Sequence, residues 1–211
     1  AAGGPGRERR GPVGGVGRRV GGREAVAANG GNVSVRLPDG NVLCTPTFVS
    51  KGTMTPESLP IVTLDGEVVS QGDGPGPSSE ILMHLRCYIE DPSVVAVVHA
   101  HPATATAFAI RGEGLHGALM PEVVVVLGDV PLAPFAVPST QEMPDSVAPF
   151  VKDNRACLLE HHGALSWSSV SLEDAYLTME RVEHVAKITA IARGLGGERE
   201  IAPADMERMA A

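Results

Sequence analysis

The sequence predicts an α/β layered domain with a largely antiparallel sheet. Short β-rich runs flank Asp39-Gly40 and Asp65-Gly66, dipeptides suited to tight turns between paired strands. Helical stripes open after Ser78-Ser79 and again after Ser171. The chain has 211 residues, 43% of them hydrophobic, enough for one sizeable core and too few for two. Hairpins mixed with helices favour layered α/β packing over a regular βαβ series.

Residues 1–23 are rich in Gly and Arg and predict a poorly packed arm, because each Gly costs a helix about 1 kcal/mol against Ala. Residues 24–196 hold the folded domain and 197–211 a tail, with room for a short terminal helix. Val33 and Val35 alternate with Ser34 and Arg36, Pro38 to Asn41 is a turn, and Val42 to Cys44 returns as the second strand. Ile61 to Leu64 and Glu67 to Val69 form the next hairpin. After a Gly/Pro loop, Ser78 and Ser79 open a helix whose expected buried stripe is Ile81, Leu82, Leu85 and Ile89, and Asp91-Pro92 ends it. Val94 to Val98 is a buried strand running into His99-Ala100-His101, and a short helix follows Pro102. Val123 to Leu127 and Val130 to Ala133 read as strands around a Gly-Asp turn. Glu142 to about Lys152 reads as helix, and Ala156 to Leu159 as a strand ending at His161-His162-Gly163. Ser171 starts the last long helix, with Asp174 placed for a capping box and Gly194 for its C-terminal end.

The formal net charge is -8, with no long basic run, which argues against nucleic acid and anionic membranes as partners. Cys44, Cys87 and Cys157 are sparse and lack metal or redox spacing, so a reducing cytoplasm is expected. No apolar stretch approaches membrane-spanning length, and the N-terminal arginines precede no apolar signal core.

Two residues apart in an extended run, His99 and His101 point to one side and can reach one ion. Catalytic zinc usually takes three protein ligands and keeps one position open. His161 and His162, at the end of another apolar strand beside Gly163, are the obvious source of the third. A lone histidine is ordinarily structural or solvated. His84 and His116 have no supporting spacing, and His184 falls on the polar side of the last helix. Glu80, in the first turn of its helix, is either a carboxylate favoured by the helix dipole or an acid/base beside the metal. Ser78 and Ser79 are either helix caps or part of an anion site, and Gly30-Gly31-Asn32 adds a turn that a phosphate could approach.

Six segments together resemble the class II aldolase/adducin family. They are Gly31-Asn32-Val33-Ser34-Val35-Arg36, Thr45-Pro46-Thr47, Pro77-Ser78-Ser79-Glu80, Val97-Val98-His99-Ala100-His101, Pro131-Leu132-Ala133-Pro134-Phe135 and Leu158-Leu159-Glu160-His161-His162-Gly163. They stand in family order over roughly residues 25 to 195. The resemblance implies a three-layer α/β/α domain and a zinc-dependent aldolase that cleaves a ketose 1-phosphate, of fuculose or deoxypentulose type, to dihydroxyacetone phosphate and an aldehyde. It implies His99, His101 and His162 as zinc ligands and Glu80 as acid/base. Gly31, Asn32, Thr47, Ser78 and Ser79 would form the phosphate site, in a homotetramer with sites at subunit interfaces. The same fold and metal also serve a sugar-phosphate dehydratase, epimerase or decarboxylase. A non-catalytic module like the adducin head is the alternative of another class, expected to lack the metal residues. The chain departs from many members at Phe48, where they carry Gly. Its two tyrosines, Tyr88 and Tyr176, fall away from where fuculose-type members place theirs.

Overall fold

A computed structural model of the chain describes residues 30–50, 54–116 and 118–210, with Gly11, Val13 and Gly15 from the N-terminal segment. The arm expected over 1–23 otherwise lies outside the described residues. Val13 is helical and fully buried in the core, which a loose arm does not predict for that position.

Eight strands are described: β1 (Asn32–Arg36), β2 (Val42–Cys44), β3 (Ile61–Val62), β4 (Val68–Ser70), β5 (Ala96–Ala100), β6 (Leu132–Ala133), β7 (Ala156–Leu159) and β8 (Gly163–Ser168). They form one sheet in the order β4-β3-β2-β1-β5-β8-β7-β6. Every neighbouring pair is antiparallel except β6 and β7. Both expected hairpins form. Gly40 and Gly66 close their turns at φ 87°, where a side chain would be strained.

Among the fully described segments the α-helices are α1 (Ile81–Glu90), α2 (Ala103–Ile110), α3 (Glu142–Val147), α4 (Leu172–Gly194) and α5 (Pro203–Ala210). Strand alternation sends residues to two faces. On β5, Ala96, Val98 and Ala100 join the cluster under α2 and α4, whereas Val97 joins the cluster under α1 and α3. The domain is therefore three-layered, α/β/α, with helices on both faces of an antiparallel sheet.

Three local expectations change. Val123–Leu127 is a π-helical turn, not a strand; Gly128, at φ 72°, ends it and its N–H bonds Val123 O. Only Val123 and Leu127 are buried there, four residues apart, so the β-branched run has no strand face to bury. The buried residues of α1 are Ile81, Met83, His84, Leu85, Cys87 and Tyr88, while Leu82 and Ile89 are exposed. Among them Ile81, His84, Leu85 and Tyr88 are spaced i, i+3, i+4, i+7, a stripe visible only when a histidine and a tyrosine count as core-facing. Ser171 Oγ does accept from Asp174 N at 3.1 Å. The Asp174 carboxylate turns away, to Arg155 and Ser168, so the capping box is half made.

Candidate metal and catalytic site

The register of the central strands builds the site. Asn32 on β1 lies opposite His99 on β5, and His99 opposite Leu165 on β8. His99 lies two positions beyond Val97 and shares its α1-facing side, so the imidazole is fully buried beneath the start of α1. Its Nδ1 bonds Ala164 O at 2.9 Å, which fixes the ring and turns Nε2 toward the strand end. His101, two residues on, sits just past β5 with its Nε2 3.0 Å from His99 Nε2.

The link between β7 and β8 delivers His162. His161 adopts φ 56°, a left-handed conformation that reverses the chain and leaves its own ring exposed. His162 thereby swings back over β5. Its ring centroid lies 4.8 Å from that of His99 and 5.1 Å from that of His101. Gly163 is required: a Cβ there would lie 2.6 Å from Ala100 O and 2.6 Å from His101 Cδ2. The geometry thus selects His162 over His161 as the third member of the cluster.

The three rings present ligand atoms within 4.8 Å of one another, close enough for one ion. The donor set fits a divalent transition metal on three further counts. A ligating imidazole usually gives its other nitrogen to a carbonyl or carboxylate, as His99 does with Ala164 O. Burial lowers the pKa of His99 to about 3 and also lowers that of His101, so both rings are neutral and free to donate a lone pair. His162 Nδ1 is buried with no hydrogen-bond partner among the described residues.

Glu80 closes the cluster. It occupies the N-cap of α1 rather than the first turn, and its N–H bonds Ser78 Oγ at 3.3 Å. Glu80 Oε1 lies 3.0 Å from His162 Nε2, and Oε2 lies 3.5 Å from His99 Nε2. Asn32 Nδ2 donates to Oε2 at 2.7 Å. Burial pushes the carboxyl pKa up, but the hydrogen bond with His162, the neighbouring His99 and His162 rings and the Asn32 amide together hold it well below the usual carboxylate range. The Glu80 carboxyl is therefore ionised.

Gly31, Asn32, Thr47, Ser78 and Ser79, the residues expected at a phosphate site, line one cavity of about 430 Å³ together with Glu80 and His101. Thr47, Ser78, Ser79 and Ser139 bring hydroxyls to this wall, and no lysine or arginine lines it among the described residues. Asn32 has less to offer than the sequence suggests, because its amide already joins Glu80 and His84. Phe48, at φ 52° and 83% exposed, stands at the rim in a conformation natural to Gly. Pro138 and Ser139 also line the cavity and carry no sequence signal of their role. His84, set aside as ordinary, is buried and bonds Asn32 Oδ1. The sequence cue for it is the spacing Glu80-x₃-His84-x₃-Tyr88 on a helix facing Asn32-x-Ser34 on a strand.

Residues 13–190 match the model of the class II aldolase and adducin N-terminal domain family. The chain belongs to this family. A 3-oxo-tetronate 4-phosphate decarboxylase of Escherichia coli O6:H1 is 38% identical over 174 residues, 80% of each chain. The L-fuculose phosphate aldolase of Methanococcus maripaludis is 32% identical over 174 residues, 82% of this chain and 91% of that one. The crystal structure of YgbL from Klebsiella pneumoniae, described as a candidate aldolase/epimerase/decarboxylase, superposes with a TM-score of 0.88 at 29% identity, covering 98% of this chain and 100% of that one. The family member described here is a class II aldolase superfamily enzyme with the fold that family implies. No helix among the described residues is long and apolar enough to cross a membrane.

Proposed function

We propose that the chain is a metal-dependent decarboxylase of a four-carbon 3-oxo sugar-acid 4-phosphate, releasing carbon dioxide and dihydroxyacetone phosphate. The observation that carries this reading is the 38% identity to a 3-oxo-tetronate 4-phosphate decarboxylase over 80% of both chains. The ketose 1-phosphate aldolase expected from sequence gives way to its same-fold alternative and becomes the second reading, kept by the 32% identity to an L-fuculose phosphate aldolase.

The two reactions share one half of their chemistry. In a 3-oxo-tetronate 4-phosphate, the C1–C2 bond breaks, carbon dioxide leaves, and the bonding pair passes into the C3 carbonyl. In the ketose 1-phosphate the C3–C4 bond breaks and an aldehyde leaves. Either way the remaining fragment is the enediolate of dihydroxyacetone phosphate, and one proton on carbon completes the product. A divalent metal held by His99, His101 and His162, with zinc as our assignment, supplies Lewis-acid stabilisation of the oxygen charge that develops. The chain's residues do the rest. Gly31, Thr47, Ser78 and Ser79 hold the phosphate and so fix which carbon faces Glu80. Glu80, ionised at rest, takes up a proton and gives it to C2. Decarboxylation needs one proton from solvent and no base for the leaving group, whereas aldol cleavage needs a base for the departing hydroxyl.

The decisive experiment offers metal-loaded protein both substrates and identifies products. The expected result is carbon dioxide and dihydroxyacetone phosphate from the 3-oxo acid, with kcat/KM at least about tenfold above any ketose 1-phosphate. Aldehyde release from a ketose 1-phosphate with no carbon dioxide from the 3-oxo acid overturns it. A homotetramer belongs to the same reading.

A further inference from the structure

Behind Glu80 runs a line of buried polar side chains that proton transfer does not itself require. Asn32, Ser34, His84 and Tyr88 expose 4%, 0%, 1% and 1% of their surfaces. Tyr88 OH lies 2.7 Å from Ser34 Oγ, Ser34 Oγ lies 2.8 Å from His84 Nδ1, and His84 Nε2 bonds Asn32 Oδ1. Asn32 Nδ2 then reaches Glu80 Oε2. The residues come from two elements in matched register. Glu80, His84 and Tyr88 are spaced i, i+4, i+8 on one face of α1, and Asn32 and Ser34 are i, i+2 on β1.

The chemistry of these groups gives the line one direction. Asn32 presents its NH₂ to Glu80 and its carbonyl to His84. A carbonyl only accepts, so His84 carries its proton on Nε2. Its Nδ1 is then an acceptor, and Ser34 must donate to it. Ser34 Oγ in turn accepts from Tyr88. Each bond in the chain donates toward Glu80, and each polarises the next.

We propose that His84 is a positioning residue for the acid/base Glu80: its Nε2–H locks the Asn32 amide in the one orientation that donates to Glu80 Oε2. With the lock gone, the amide can flip and present its oxygen to the carboxylate. That repulsion rotates Glu80 out of line with the reacting carbon. This inference rests on Glu80 being the acid/base, but not on which group leaves the substrate.

Two measurements test it. Nitrogen-15 shifts of His84 in the labelled protein report the tautomer directly. The Nε2–H form is expected, and the Nδ1–H form overturns the proposal whatever the variants do. In the metal-loaded chain, His84→Leu is expected to lower kcat about 10- to 100-fold with KM within about threefold, and to keep its metal. His84→Gln places one donor and one acceptor where the ring had them and is expected to recover most of that loss. Unchanged kcat in folded His84→Leu, or equal loss in both variants, overturns the positioning role. Whichever of the two substrates turns over is used, so a wrong substrate assignment appears in product identity and a wrong role for His84 in the Leu-to-Gln ratio.

Discussion

An imidazole tied by one nitrogen to a backbone carbonyl presents the other in a fixed direction, and His99 is such a ring, held by Ala164 O in the middle of the sheet. Among the described residues no backbone carbonyl anchors His101 in this way. Gly163 lies beneath its ring, with room for no side chain. Two substitutions separate ligation from packing. His101→Ala removes a donor from the exposed side of the cluster, so the expected outcome is at least a tenfold loss of bound metal with little change in melting temperature. Gly163→Ala pushes a methyl into Ala100 O and the His101 ring, so it is expected to cost about 1 to 3 kcal/mol of stability and to weaken metal binding as well. Elemental analysis beside thermal melts distinguishes the two; intact metal content in His101→Ala would remove that residue from the site. At this scale the sequence was highly legible where chemistry repeats at fixed spacing, as in His99-x-His101. It was illegible for His84, whose partners lie about fifty positions away in sequence.

Elements were readable in proportion to their turn and cap chemistry. Asp39-Gly40 and Asp65-Gly66 placed both hairpins, and Ser171 placed the start of α4. The Ser171 hydroxyl is the side-chain cap of that helix, so Ser171→Ala is expected to cost about 1 kcal/mol in urea titrations. A Ser171→Asp variant that retains the lost stability would confirm capping as the cause. The stripe of α1 was misread because its inward face carries His84 and Tyr88, residues that a hydrophobic pattern scores as outward. Val123–Leu127 was misread for the opposite reason. Five apolar residues in a row satisfy a strand and a helical turn equally, and Gly128 at its end decides for the turn only in three dimensions.

For the whole molecule, burying neutral histidines ties stability to pH. Burial holds the pKa of His84 at about 4, below the 6.5 of an ordinary histidine. The unfolded chain therefore binds a proton between pH 6.5 and 4 that the folded chain refuses. Stability from this residue is fully present above pH 6.5 and is lost as pH falls toward 4, to a limit on the order of 3 kcal/mol. His99, with a pKa of about 3, acts with the same sign. Urea midpoints at pH 7.5 and pH 5 should fall steeply for the metal-free protein and less steeply for His84→Gln. An equal fall in both would assign the acid sensitivity to other groups. The overall architecture was legible because hairpins and helices each announced themselves. The side of the sheet on which the site would form was not, since that depends on the register of β1 against β5.

That register divides the molecule by tolerance to change. His99 and Gly163 belong to interior strands whose neighbours are bonded on both edges, so altering them disturbs the sheet. Pro138 and Ser139, which line the cavity, lie in a connecting segment with no ladder to maintain. One wall of the cavity can therefore be edited within a loop, while the histidine cluster cannot change without unmaking a sheet.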